Sequence, residues 1–184
     1  MDNDPALVEL VRERLPLPAR SRIRVRIGDA RAVLDSMRPA SYDVVVADVF
    51  ADGHTPASLT SAGFAAAAAS VLREGGVFAA NVADGPPLTH ARAQVATVRS
   101  VFGQVCLIAD PGVLRSRRFG NLILAASHEP LPTGQLTRLT AADPMPGRVL
   151  DGIDLDRFAA GAKPVTDATA RPSPAPPPDL FSRR

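Results

Sequence analysis

The sequence predicts an α/β fold with a doubly wound, mostly parallel sheet. Apolar runs of strand length, YDVVVADVF, GVFAANV and GNLILAA among them, alternate with segments whose apolar residues recur at helical spacing. Glycines stand where two of those helices should stop, at Gly75 and Gly103. The length, 184 residues with 46% hydrophobic and 22% charged, suits one globular domain.

The elements follow in chain order. Asp4 as N-cap and Pro5 at the first helical position open a helix with Leu7, Val8, Val11 and Leu15 on one face, ending before Pro16. Arg22, Arg24 and Arg26 then alternate with Ile23, Val25 and Ile27, the period-two pattern of a half-buried strand. No aromatic residues interleave with these arginines, so the row reads as a solvated face and not a nucleic-acid stripe. Ala30, Val33, Leu34 and Met37 suit a short helix. The run after Tyr42 is almost continuously apolar, as expected of a parallel strand covered on both faces. A helix is expected from about residue 60 to 73, a strand over 76–82, a helix over 88–102, a strand over 104–109 and a last one over 120–126, antiparallel if hairpin-like.

Residues 1–128 therefore read as the α/β domain. Residues 129–160 carry Pro130, Pro132, Pro144 and Pro146 and read as an irregular extension ending in a short helix. The segment 161–184, proline-rich among Ala, Ser and Thr, reads as a disordered tail.

Composition excludes several classes. No apolar stretch approaches the about 20 residues of a membrane span, and the N-terminus MDNDPALVEL lacks the pattern of a secretory signal. The single cysteine, Cys106, lies in the apolar stretch VCLIAD and reads as a core thiol in a reducing cytoplasm. Twenty arginines and one lysine are nearly balanced by 19 acids, so no nucleic-acid partner is expected; the basic loop Arg115, Arg117, Arg118 reads as a solvated turn. His54, His90 and His128 lack metal-ligand spacing and read as surface or loop residues, with no metal expected.

Ligands of open α/β sheets bind beyond the carboxyl ends of the strands. The residues there are Asp29, Asp48, Asn81 with Asp84, and Asp110. A carboxylate in that place can accept hydrogen bonds from ribose hydroxyls or an exocyclic amine, or hold a cation, and Asp is also a common N-cap.

The succession DPALVELVRERL, RVRIGDARAVL, YDVVVADVF, SLTSAGFAAAAASVLREGGVFAANV resembles the spermidine synthase family, aminopropyltransferases on the Rossmann-like S-adenosylmethionine methyltransferase fold. The resemblance covers residues 2 to 127. It implies that Gly28, Asp29 and Ala30 close a strand with Asp29 facing adenine, that Asp2 holds the ribose, and that Asp48 assists the amine nucleophile beside the cofactor. It further implies Asp52 and Asp84 as substrate-binding acids, S-adenosylmethionine or its decarboxylated form as co-substrate, a small amine as acceptor, and a homodimer. Tyr42 and Asp43, at the far end of their strand, are expected to be structural. The sequence departs from the family in two ways. It has no glycine-rich loop, which implies an N-terminally truncated fold and weak nucleoside binding, and its second acid, Asp52, stands one position away from the polyamine-making pattern. Methyl transfer on the same fold and a non-catalytic partner-binding domain are the alternative readings.

Overall fold

The computed structural model describes residues 1–178. Its contacts divide the chain into two units, Met1–Arg38 and Pro39–Arg184, and no helix among the described residues is long and apolar enough to cross a membrane.

The first unit begins as the sequence predicts. Helix α1 (Pro5–Arg14) starts where Asp4 Oδ1 accepts from the backbone N–H of Ala6 at 2.9 Å and of Leu7 at 3.0 Å, satisfying donors that a helix start otherwise leaves open. Helix α2 (Ala30–Asp35) is capped by Asp29 in the same way. The strand expected over 22–27 does not form. Period-two alternation encodes a half-buried face but supplies no neighbour, and within this unit only Asp2 pairs with it, in a parallel bridge to Ile27. Arg22, Arg24 and Arg26 are exposed. Val8 and Leu34 are the buried hydrophobic residues of this unit, and Leu7, Val11, Leu15 and Ile23 line a cavity of about 270 Å³.

The second unit is built on a five-stranded sheet. Its elements are β1 (Tyr42–Ala47), a 3-10 turn at Ala57–Leu59, α3 (Ala62–Val71), β2 (Leu72–Asp84), α4 (Thr89–Arg99), β3 (Gln104–Ala109), α5 (Pro111–Leu114), β4 (Gly120–Ser127), α6 (Thr133–Ala141), β5 (Arg148–Leu150) and α7 (Gly152–Ala159). The strand order is β1-β2-β4-β3-β5. β1 and β2 are parallel, β4 runs antiparallel between β2 and β3, and β5 is antiparallel to β3. The sheet is therefore mixed, with β4 inserted among strands that run the other way. Gly75 has the positive φ anticipated for it, 71°, but within the extended start of β2, since α3 already ends at Val71.

The pleat decides where the core lies. Phe78, Ala80 and Val82 of β2 pair with Ala126, Leu124 and Leu122 of β4, and these pair in turn with Val105, Leu107 and Ala109 of β3. Phe78, Leu107, Leu122 and Leu124 are at most 2% exposed. Phe64 of α3 meets the Phe78 ring edge-on at 6.1 Å, and Phe102, just after α4, stacks on it at 5.7 Å. The opposite face is open in places: Val44 is 54% exposed, Val46 66% and Ile123 40%. The double coverage expected for the run after Tyr42 is not met: the face of β1 that carries Val44 and Val46 is exposed.

Two C-terminal expectations are corrected. Residues 129–160 end in the short helix expected there, α7, which buries Leu155 and Phe158, but they also hold α6 and β5, and β5 extends the sheet through Leu107–Leu150 and Ile108–Val149 pairs. The Arg92 guanidinium lies 4.8 Å from the Phe158 ring centroid and donates to its carbonyl. The tail expected to be disordered is, over residues 161–178, a strap bound across α3 and α4; residues 179–184 lie outside the described residues. Val165 N–H donates to Thr97 Oγ1 at 2.8 Å and its carbonyl accepts from Ala62 N–H at 2.8 Å. Ser61 Oγ donates to Asp167 at 2.5 Å, and Thr60 Oγ1 to the Arg171 carbonyl at 3.1 Å. Composition carries no sign of these hydrogen bonds, which tie the segment to residues 60–62 and 97.

Candidate functional site

β1 ends at Ala47, opposite Ala80 of β2, so Asp48, the next residue, stands beside Asn81, while β2 runs on to Asp84. Asn81 Nδ2 donates to Asp48 Oδ1 at 3.0 Å. That bond orients the amide and turns Asn81 Oδ1 away from the carboxylate; this oxygen is buried and has no hydrogen-bond partner among the described residues. By alternation Asp48 belongs to the open face, in line with Val44 and Val46, and it is exposed. One carboxylate oxygen is thus held by an amide and the other is available, an arrangement that can accept a proton or hold a cation.

The chain after Asp48 turns sharply. Ala51 and His54 exchange backbone hydrogen bonds of 2.8 and 3.0 Å, with Asp52 at φ 51° and Gly53 at φ 79° between them. Asp52 is exposed in this turn, and no contact joins it to Asp48.

Asp84 is used differently from its sequence reading. It is 3% exposed; its Oδ1 accepts from Gly85 N–H and its Oδ2 from Ala91 N–H, both at 2.8 Å. Both oxygens fix the loop before α4, so they are not free for a substrate. His90, read as a surface or loop residue, lies in α4 and with Asp84 and Phe119 lines a cleft of about 690 Å³ against the strap. Burial lowers its pKa, with the Asp84 charge opposing. Asp110 caps α5 and lies 3.2 Å from Arg118. Desolvation, which raises its pKa, is outweighed by hydrogen bonds from Gly112 and Val113 and by Arg118 together, which hold its carboxyl below the ordinary range. Asp43 pairs with Arg73 at 2.7 Å, the structural role expected of it.

In the first unit the nucleoside candidates of the sequence adjoin one another. Gly28 N–H donates to the Asp2 carbonyl at 2.8 Å, and Asp2 N–H to the Arg26 carbonyl at 3.1 Å. Gly28 has φ 151°, and an added Cβ would come 3.1 Å from Val33 Cγ2; Ala30 opens α2 directly after it. Asp2 Oδ1 accepts from Asp4 N–H and Asp29 Oδ1 from Ala32 N–H, each at 2.9 Å.

Sequence reasoning did not find the contacts of the loop after Asp48 with the strap, which join residues more than 110 positions apart. Local periodicity carries no signal for such a pairing.

The mixed five-stranded sheet with its helices is an α/β domain of the methyltransferase type. Comparison with solved structures agrees. The chain is 34% identical, with a TM-score of 0.82, to a probable spermidine synthase from Corynebacterium glutamicum, covering 90% of this chain and 61% of that one. Human methyltransferase-like protein 13, solved in complex with SAH, is 25% identical over 74% of this chain and 66% of that one, with a TM-score of 0.56. The spermidine synthase of Thermotoga maritima shares the fold at 16% identity and a TM-score of 0.56, over 86% of this chain and 56% of that one. Within the methyltransferase class the chain is spermidine synthase-like, and it spans 61% of the length of the Corynebacterium protein. No protein-family model matches the chain, and no curated protein matches it.

Proposed function

We propose that the chain serves aminopropyl transfer to an amine from an S-adenosylmethionine-type nucleoside, the decarboxylated form of S-adenosylmethionine being the one that carries an aminopropyl group. The observation that carries this reading is Asp48, held by Asn81 at the carboxyl end of β1 with one carboxylate oxygen available. The likeness to a probable spermidine synthase at 34% identity supports it.

The residues fit a nucleoside in part. Asp2 and Asp29 each engage one oxygen in a backbone hydrogen bond, leaving the other for ribose hydroxyls or an exocyclic amine. No glycine-rich loop supplies a further row of backbone N–H donors, so low-affinity binding is expected. When bound, the nucleoside supplies a sulfonium carbon open to attack. An alkyl amine has a solution pKa near that of Lys, about 10.4, and must lose a proton before it can attack. The unprotonated amine attacks, the C–S bond breaks and the nucleoside leaves as its thioether, while the Asp48 carboxylate stabilises the ammonium that forms and then accepts the proton it releases. Asp52, exposed in the following turn, is the second acid offered to a cationic acceptor.

Asp48→Asn keeps the shape and removes the charge. We expect single-turnover transfer to putrescine to fall by about 10²- to 10⁴-fold, with nucleoside affinity by calorimetry nearly unchanged, and Asp29→Asn to do the reverse. Full transfer by Asp48→Asn would overturn the assignment. Methylated product would instead favour methyl transfer, which the likeness to methyltransferase-like protein 13 supports.

A further inference from the structure

The turn after Asp48 is closed by a residue from the far end of the chain. Ser173 is 3% exposed although it lies in a proline-rich segment, and each of its polar groups reaches the turn. Its Oγ accepts from Thr55 N–H at 2.8 Å, its own N–H donates to the Thr55 carbonyl at 3.0 Å, and its carbonyl lies 2.7 Å from His54 Nδ1. A carbonyl only accepts, so His54 must carry its proton on Nδ1. Beside this, an added Cβ on Gly53 would stand 3.4 Å from the Pro176 ring. Upstream of Ser173 the strap is tied at Val165, Asp167 and Arg171 to residues 60–62 and 97, so its reach toward the turn is set by α3 and α4.

We propose that Ser173 is a positioning residue: the strap pins the turn 51–55 through it and so holds the acceptor side of the Asp48 site in one conformation. The inference rests on the proposed amine transfer for its consequence and on the hydrogen bonds alone for the pin. Without the pin, this turn keeps only the two hydrogen bonds between Ala51 and His54, and its left-handed Asp52 and Gly53 lose the surface that constrains them. An acceptor then has to order the turn as it binds, which weakens its binding without touching the proton acceptor.

The test uses the full chain, Ser173→Ala, Ser173→Thr and a chain ending at Ala170. Hydrogen exchange is followed at Thr55 and across residues 51–55, and the tautomer of His54 by nitrogen NMR shifts. In Ser173→Ala the Thr55 amide loses its acceptor, and its exchange should speed up by about tenfold or more. Ser173→Thr should restore protection, and the chain ending at Ala170 should release the Nδ1–H tautomer while amides of β2 and β4 stay protected. Unchanged exchange at 51–55 in both Ser173→Ala and the shortened chain overturns the pin. In steady-state transfer, KM for putrescine should rise in Ser173→Ala with kcat and nucleoside affinity held. A fall in kcat with KM unchanged overturns the positioning role. If the unaltered chain transfers nothing to putrescine, the transfer reading fails by itself, and exchange still decides the pin.

Discussion

At the scale of single residues, carboxylates with the same sequence signature separate by what holds them. Asp48, Asp84 and Asp110 all follow apolar strands, and the residue types do not distinguish them. Asp48 has one side-chain partner, Asn81. Both oxygens of Asp84 accept backbone N–H groups inside the fold, and Asp110 caps a short helix beside Arg118. Asp84→Ala should therefore act on stability: two N–H donors lose their acceptor, at about 1–3 kcal/mol for each that stays buried, read as a lower urea midpoint with an unchanged slope. An equal affinity loss for amine and no loss of stability would contradict it. Cys106 bears out its reading as a core thiol, fully buried with its pKa pushed up to about 11, first by burial and then by Asp151. The neutral thiol is the form the fold favours. Its contribution is present below the unfolded thiol pKa, about 8.5, and is lost as pH rises toward 11. Native protein should accordingly resist thiol reagents at pH 8 and react once unfolded in urea. His90 has the opposite sign of dependence: burial lowers its pKa from 6.5, so its contribution is present above 6.5 and lost as pH falls through the folded value.

At the scale of elements, sequence reading succeeded wherever local chemistry was sufficient. The Asp4–Pro5 start of α1, the short helix α2 and strands β3 and β4 lie where capping and periodicity put them. It failed where the determinant was a distant neighbour. The arginine-bearing segment 22–27 has strand alternation and lacks a strand beside it within its unit. β1 reads as a parallel strand covered on both faces and has one face exposed, at Val44 and Val46, because apolar content reports what a strand can be covered by, whereas exposure depends on what is present. Half of the candidate site was legible: Asp48 from its place at a strand end, but not its grip by Asn81, which depends on the β1–β2 register. The asymmetry of the sheet can be measured. Leu124→Ala, on the closed face and 1% exposed, should cost about 2–5 kcal/mol. Val46→Lys, on the open face and 66% exposed, should change stability by less than about 0.5 kcal/mol. Comparable losses from the two would mean that the open face is covered in solution.

At the scale of the whole molecule, the long connection from Thr55 to Ser173 gives the candidate site an order in time. The two residues are separated by 118 positions. At about 5–20 residues per second of synthesis, the turn after Asp48 therefore waits about 6–24 s for the residue that pins it. Strands β1 to β5 and the helices between them have all been made by then, so the sheet can assemble before the turn is closed. A message that ends early, anywhere between α7 and Ser173, yields a chain with its core intact and its turn unpinned. Closure of the turn is thereby tied to the synthesis of Ser173, after every strand and helix of the second unit.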